Sequence, residues 1–300
     1  MQDFKDKVAF ITGGASGVGF GQAKVFSSVG CKVVMADIRQ DHLDQAMEYF
    51  HDKDAEVHAI KLDITDRDAY AGAADETERV FGPVQLLFNT AGVSIFGPLE
   101  KSTYDDYDWQ MEVNFGGVVN GIQTFVPRMI DYGEGGHIVN TASVGAFLSS
   151  APAGIYCASK FAVRGLTEAL RQSLEPYGIG VSVLCPANVN TNIAEAVTTR
   201  PAKYQNSGYR FDDEVLASLR RIYSAGMDPS ELAQHVLDGI KNNALYIIPF
   251  PEVRERLKEH FDAVLDALPP PGSDPEGVAK REAAMLKFRQ EREAQQSQQQ

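Results

Sequence analysis

Tyr156 and Lys160, four apart in Tyr-Cys-Ala-Ser-Lys, carry the sharpest chemical signal in the chain. That spacing on a helix puts a phenol and an ammonium group on one face. A free phenol titrates near pH ~10 and is a poor acid or base at neutral pH, but a neighbouring cation favours the phenolate. Lys160 would supply that cation and make Tyr156 a general acid/base. A bare Tyr-x-x-x-Lys is usually a stacked surface pair, so its surroundings must decide. Ser143 closes a strand-like run thirteen residues earlier. A glycine-rich turn, Thr12-Gly13-Gly-Ala-Ser16-Gly17-Val18-Gly19, follows the first such run. A turn of this kind lets backbone amides and a helix N-terminus meet a pyrophosphate. Gln22 stands where the last glycine of G-x-G-x-x-G would fall, so the turn alone fits either a nucleotide loop or a merely tight bend. Asp37, eighteen residues beyond Gly19, is placed to grip an adenosine ribose diol. Its charge would repel a 2′-phosphate, and Ser16 rather than a base precedes Gly17. NAD is therefore expected over NADP, with Arg39 the contrary feature.

These groups need a scaffold. Short Val- and Ile-rich runs alternate with segments of helical period, the pattern of βαβ units closing a parallel sheet. The expected strands are Val8–Thr12, Lys32–Asp37, Glu56–Asp63, Leu86–Thr90, Gly136–Ser143, Gly180–Pro186 and Ala244–Ile248. The fold class is thus α/β, a Rossmann-type, doubly wound, seven-stranded parallel sheet flanked by helices. Such sheets bind ligands at the carboxyl ends of their strands, where Asp63-Ile64-Thr65, Asn89-Thr90-Ala91-Gly92, Asn140-Thr-Ala-Ser143 and Pro186-Ala-Asn-Val189-Asn-Thr191 fall. Apolar residues at Ile155, Ala158, Ala162, Leu166, Leu170 and Leu174 predict a helix over Gly154–Tyr177, stopped by Pro176 and Gly178. Past a catalytic domain of residues 1–250, a helical extension is expected. It comprises a charged helix Glu252–Leu268, a proline-rich linker, and a segment ending in a glutamine run whose last ten residues are expected to be disordered.

Thr12-Gly13-x-x-x-Gly17-x-Gly19, Asn89-x-Ala91-Gly92, Asn114, Ser143 and Tyr156-x-x-x-Lys160 occur in this order. Over roughly residues 5 to 250 the sequence resembles an ordinary single-domain short-chain dehydrogenase/reductase. The resemblance implies that Tyr156 is the general acid/base and that Ser143 hydrogen-bonds the reacting oxygen. It implies that Lys160 holds the nicotinamide ribose and lowers the Tyr156 pKa, that Asn114 anchors a water on the proton path, and that Thr191 contacts the carboxamide. With the strand-end positions it gives an expected NAD-binding set of Gly13, Ser16, Gly17, Val18, Gly19, Asp37, Asp63, Ile64, Asn89, Ala91, Gly92, Tyr156, Lys160, Pro186, Val189 and Thr191. Thr90 and Ala187 depart from the family's usual Asn and Gly. The implied function is an NAD-dependent oxidoreductase interconverting a secondary alcohol and a ketone. Ala36–Ala46, Gly136–Ser143 and the C-terminal extension are similar to bacterial Cα-dehydrogenases acting on benzylic alcohols of lignin-derived β-aryl ethers.

Substrate contacts are expected from Val93–Phe96, Val144–Pro152 and an insertion over about 192–227. Ile193, Val197, Tyr204, Tyr209 and Phe211 of the insertion either face an apolar, aromatic substrate or pack a lid onto the body. Arg200, Lys203 and Arg210 either meet a carboxylate or face water. The net charge of −13, without a basic cluster, argues against nucleic acid. The longest charge-free stretch is too polar to span a bilayer, and the N-terminus has no room for a signal peptide, so a cytoplasmic location is expected. Cys31, Cys157 and Cys185 read as reduced core thiols. The six histidines show no metal-ligand spacing, so no metal is expected. Apolar surface on Trp109–Ile130 and Ile155–Leu174 points to a homodimer or homotetramer. The alternative in another class is a catalytically silent NAD-binding sensor or scaffold. An intact Asn114, Ser143, Tyr156 and Lys160 argues against it.

Overall fold

The Val- and Ile-rich runs become strands because both faces of each are covered, which suits continuous rather than alternating apolar sequence. In a computed structural model, which describes residues 1–209 and 213–297, the strands are β1 (Val8–Thr12), β2 (Lys32–Asp37), β3 (Val57–Lys61), β4 (Val84–Asn89), β5 (Gly136–Thr141), β6 (Ile179–Leu184) and β7 (Tyr246–Ile247). Among the described residues they form one parallel sheet in the order β3-β2-β1-β4-β5-β6-β7. The helices are α1 (Gly17–Ser28), α2 (Gln40–Phe50), α3 (Arg67–Phe81), α4 (Tyr104–Met111), α5 (Gly117–Tyr132), α6 (Gly154–Leu174), α7 (Asp213–Ser224), α8 (Pro229–Lys241), α9 (Arg254–Asp266) and α10 (Pro275–Ser297). Strand order reverses between β1 and β4, and the loops leaving these two strands flank the crevice where open parallel sheets bind ligands.

The aromatic core lies on both sheet faces. Phe10 stacks on Phe125 with ring centroids 4.7 Å apart, and Phe26 meets Phe88 at 4.7 Å. Trp109, Tyr70, Phe10, Phe26, Phe88 and Phe125 are among the largest side chains wholly removed from solvent.

Several strands end earlier than the sequence suggests, for a chemical reason. Asp63 leaves the ladder because its Oδ1 accepts from the Thr65 amide at 2.9 Å. The Ser143 Oγ accepts from the Gly145 amide at 3.0 Å, and Pro186 has no N–H to offer a neighbouring strand. Thr90 leaves β4 because its amide bonds the Thr12 hydroxyl at 2.9 Å instead. Ala244 donates back to Gly239 at 2.9 Å, which shortens β7 to two residues. The long helix also stops sooner, at Leu174, and a single tight turn over Glu175–Tyr177 accommodates Pro176.

The chain divides into two compact units, Met1–Arg254 and Glu255–Gln300. The second holds most of α9 and all of the described α10. Helix α10 runs to Ser297. Its Arg, Glu, Ala and Gln residues are strong helix formers, and residues 298–300 lie outside those described. No helix of the described residues is long and apolar enough to cross a membrane.

Helix α1, which presents the glycine-rich turn, is held from behind by α8. A Cβ on Gly21 would stand 2.3 Å from the Pro229 carbonyl oxygen, so only glycine allows this approach. Gly21→Ala is expected to lower stability in urea unfolding by about 1–3 kcal/mol as α8 is pushed away. Gly165→Ala on α6, where a Cβ meets nothing within 4 Å, should instead raise stability by about 0.5–1 kcal/mol.

Candidate active site

The glycine-rich turn is built by close approach. Gly13 has φ +65°, and a Cβ there would lie 2.9 Å from Ala91 Cα. Gly17 has φ +50° with Thr191 Cγ2 3.0 Å from its Cβ position, and a Cβ on Gly19 would strike Gly13 O at 2.2 Å. Ser16 caps α1 without bonding its backbone and instead reaches Asn192 Oδ1 at 3.2 Å. The first turn of α1, which includes Val18, carries no acidic side chain, so its positive dipole end stays uncompensated. One cradle thus joins Gly13, Ser16, Gly17, Gly19, Ala91 and Thr191.

Asp37 ends β2 nearly buried, its Oδ2 taking the Ala15 amide at 3.3 Å and its Oδ1 the Arg39 amide at 3.0 Å. Burial pushes its carboxyl above the ordinary value, against the pull of those two N–H groups. The Arg39 side chain turns to Asp41 in a two-point pair, Nε to Oδ1 at 2.8 Å.

Not every expected contact faces this cradle through its side chain. Asn89 Nδ2 donates to Asn140 Oδ1 at 2.8 Å, and its Oδ1 accepts from the Tyr70 hydroxyl at 3.3 Å. Asn140 continues to Thr167 at 3.0 Å, so Asn89 belongs to a buried polar seam between β4, β5 and α6. Ile64 packs against Gly117, where a Cβ would stand 2.2 Å from its Cδ1, and its carbonyl accepts from Asn120 at 2.8 Å. Asp63 is exposed and occupied with Thr65. Val189 is buried in a bridge to Met227.

Ser143, Tyr156 and Lys160 do come together. Ser143 Oγ and the Tyr156 ring both border Gly145, at 3.4 and 3.7 Å from its Cβ position, and Ser143 donates to the Pro186 carbonyl at 3.3 Å. Lys160, 3% exposed, sends its Nζ to the Thr141 carbonyl at 2.9 Å and lies 5.6 Å from the centroid of the Tyr156 ring. Burial drives the phenol above its ordinary value, only partly offset by Ser143. The same burial brings Lys160 down to about 8. The phenol thus moves opposite to the sequence expectation, because removing water from the phenolate outweighs any cationic help.

Asn114 sits in a π-helical turn, Glu112–Gly116, between α4 and α5. Such widened turns recur at functional sites. Its amide clamps both polar groups of Val93, Oδ1 from the N–H at 2.8 Å and Nδ2 to the C=O at 2.9 Å, and reaches Ser159 Oγ at 3.0 Å. Asn114 therefore fixes the loop beyond Gly92 against the Tyr156 helix.

The insertion is anchored by groups that the sequence left as solvent or substrate contacts. Arg200 pairs with Asp106 at 2.7 Å, both side chains almost wholly buried, and its guanidinium lies 5.2 Å from the Trp109 ring centroid. Asp106 also accepts from Ser207 at 2.7 Å, Gly208 N at 3.0 Å and Thr103 N at 3.0 Å. Lys203 and Tyr204 both bond Glu112. Tyr209, Val197 and Tyr204 pack with Ile95, Trp109 and Ile155, which favours the packing reading for these three. Arg210 and Phe211 lie outside the described residues. Asp106 thus serves twice, in the capping box that Thr103 forms at the start of α4 and as the anchor of Arg200.

A parallel sheet with a glycine cradle at its switch point and a Ser-Tyr-Lys cluster on the next loops defines a dinucleotide-dependent oxidoreductase architecture. The chain belongs to the short chain dehydrogenase family, whose profile matches residues 7–202. A C alpha-dehydrogenase of Sphingobium sp. (strain NBRC 103272 / SYK-6) is 54% identical over 293 residues, covering 97% of this chain and 96% of that protein. The LigO apo form from Sphingobium sp. strain SYK-6 is 48% identical with a TM-score of 0.79, covering 96% of this chain and 98% of LigO. A short-chain dehydrogenase/reductase from Burkholderia phymatum, in complex with NAD, is 36% identical with a TM-score of 0.83, covering 90% of this chain and 98% of its own.

Burial pushes the Asp106 carboxyl up, but hydrogen bonds from Ser207, Thr103, Gly208 and Arg200 hold it below the usual carboxylate range. A depressed folded pKa gives stability that is present above the unfolded value near ~4 and lost as pH falls through the folded one. Asp106→Ala is expected to strand the buried Arg200 charge, at a cost of about 3–5 kcal/mol. Protease nicking of residues 200–209 should then rise at neutral pH. Unchanged nicking would show that this pair does not anchor the insertion.

Proposed function

We propose that the protein is an NAD-dependent dehydrogenase of secondary alcohols, acting on an apolar, benzylic substrate of the lignin-derived aryl ether type. The observation that carries the chemical part is the gathering of Ser143 and Tyr156 around Gly145 beside the buried Lys160. A phenol and a hydroxyl facing one point are what an alcohol oxygen needs.

The cradle fits a dinucleotide. Gly13, Ser16, Gly17, Val18 and Gly19 would take the pyrophosphate at the α1 N-terminus. Asp37 would take the ribose diol, and the pairing of Arg39 with Asp41 leaves no free guanidinium beside it for a 2′-phosphate. Ala91, Gly92, Lys160, Pro186, Val189 and Thr191 would border the nicotinamide half. When bound, NAD supplies the hydride acceptor.

The chain's own residues do the rest. Ser143 would hold the carbinol oxygen, and Tyr156, ionised to the phenolate, would take its proton as the C–H bond breaks. Lys160 near pKa 8 is mostly charged at neutral pH, so a cation stands close to the phenol and favours its phenolate form. Asn114 keeps Val93 in place as one wall, with Ile95 and Ile155 adjoining. The benzylic reading rests on the 54% identity to the C alpha-dehydrogenase across nearly the whole chain and on that apolar wall. Self-association as a dimer or tetramer accompanies this proposal.

Tyr156→Phe should lose hydride transfer by at least ~100-fold while still binding reduced cofactor in a fluorescence titration. Turnover close to that of the unaltered enzyme would remove Tyr156 as the acid/base. Because the phenol is raised, alcohol oxidation should rise through the alkaline range and ketone reduction should fall, as initial rates against pH would report. Asp37→Ser should narrow the preference for NAD over NADP by about 10-fold or more through relief of repulsion, read as the ratio of kcat/KM values.

A further inference from the structure

The ammonium group of Lys160 lies between the chain segments that leave two neighbouring strands. On one side its Nζ donates to the Thr141 carbonyl at 2.9 Å, its one hydrogen bond among the described residues. On the other, a Cβ on Gly92 would stand 3.4 Å from it. The titratable groups around it are the Tyr156 phenol, with its ring centroid 5.6 Å away, and the Cys185 thiol, which burial keeps neutral. The place of this ammonium therefore depends on how far apart Gly92 and Thr141 are held.

Backbone pairing does not set that spacing. The β4–β5 ladder ends at the pair Asn89 and Asn140, one residue short of both Thr90 and Thr141. Past it, the Thr141 hydroxyl donates to Thr90 Oγ1 at 3.3 Å, and Thr90 donates to Oε1 of the wholly buried Gln22 at 2.7 Å. Because Gln22 takes the Thr90 proton, the Thr90 oxygen is left to accept from β5. Gln22 lies on α1, so the helix that presents the glycine cradle orients the bond joining the two strand ends.

Both walls of the Lys160 slot start at these hydroxyls, since Thr141 offers its own carbonyl and Gly92 follows Thr90 by two residues. We propose that Thr90 is a positioning residue for Lys160, its hydroxyl holding β4 and β5 at the separation that keeps the ammonium enclosed beside Tyr156. Its part in catalysis rests on the dehydrogenase reading above. Removing that hydroxyl leaves Thr141 and Gln22 unpaired together, and walls that part let water reach Nζ. Hydration favours the charged amine, so its pKa climbs from about 8 toward the ordinary value.

Lys160 can be titrated without substrate or cofactor, through the carbon-13 signal of labelled lysine Cε that disappears in Lys160→Arg. In Thr90→Val, which keeps the shape and removes the hydroxyl, that signal should titrate at least about 0.5 pH higher. Thr90→Ser, which keeps the hydroxyl, should titrate with the unaltered chain. Thr141→Val removes the other end of the bond and should repeat the shift, so the test stands even where one valine variant fails to fold. Hydride transfer from an aryl methyl carbinol to NAD, followed in a single turnover, should fall about 10-fold in Thr90→Val and recover in Thr90→Ser. A Lys160 signal unmoved in the valine variants, or moved equally in Thr90→Ser, would overturn the assignment whatever the activity. Failure of the unaltered enzyme to oxidise the carbinol would overturn the benzylic reading, while the titration still decides whether Thr90 places Lys160.

Discussion

The site depends on how the carboxyl ends of β1, β4 and β5 are tied where the strand order reverses. Their ladders end before the loops begin, and threonine hydroxyls take over. Thr12 Oγ1 donates to the Phe88 carbonyl at 3.3 Å and accepts from the amides of Thr90 and Ala91 at 2.9 and 3.1 Å. Thr90 then donates to Gln22 Oε1 at 2.7 Å and accepts from Thr141 at 3.3 Å. The Thr141 carbonyl receives Lys160. A chain of bonds thus runs from the helix presenting the glycine turn to the ammonium group beside Tyr156. In a low-dielectric interior such a chain stiffens when each member is satisfied.

This chain explains two oddities of the sequence at once. Gln22 replaces the last glycine of the dinucleotide fingerprint, and Thr90 replaces the family's usual asparagine. The two substitutes bond each other. The glycine that Gln22 replaces ordinarily serves close packing between helix and sheet. Gly19 and Gly21 supply that approach instead, against Gly13 and Pro229. Both departures were visible from composition of the motifs alone, but their pairing needs the fold, because sixty-eight residues separate them.

What was legible in the sequence follows the same division. Strand order class, the glycine turn, Asp37 and the Ser143, Tyr156 and Lys160 set are encoded by local patterns: apolar runs, permissive glycines, and a spacing of one helical turn. The fates of Asn89, Ile64 and Asp106 are not local. Asn89 stands at a strand end, where ligand contact and sheet bonding look alike, and its partners lie on α3 and β5. Arg200 reads as a surface cation until a capping aspartate from a distant helix is found beneath it. A buried ion pair is invisible to composition because each member alone looks solvated.

Burial governs the chemistry as well as the stability. The same loss of water that raises the Tyr156 phenol lowers Lys160, so the two groups are driven apart on the pH scale. With both desolvated, the proposed transfer of a proton from an alcohol to the Tyr156 phenolate would take place next to a cation that water no longer shields, where a charge interaction is stronger than in solvent. On that proposal the Asn114 clamp and the Asp106 anchor would serve catalysis indirectly. Each holds a wall against α6, and a wall that opened would readmit the water whose exclusion sets both proton affinities.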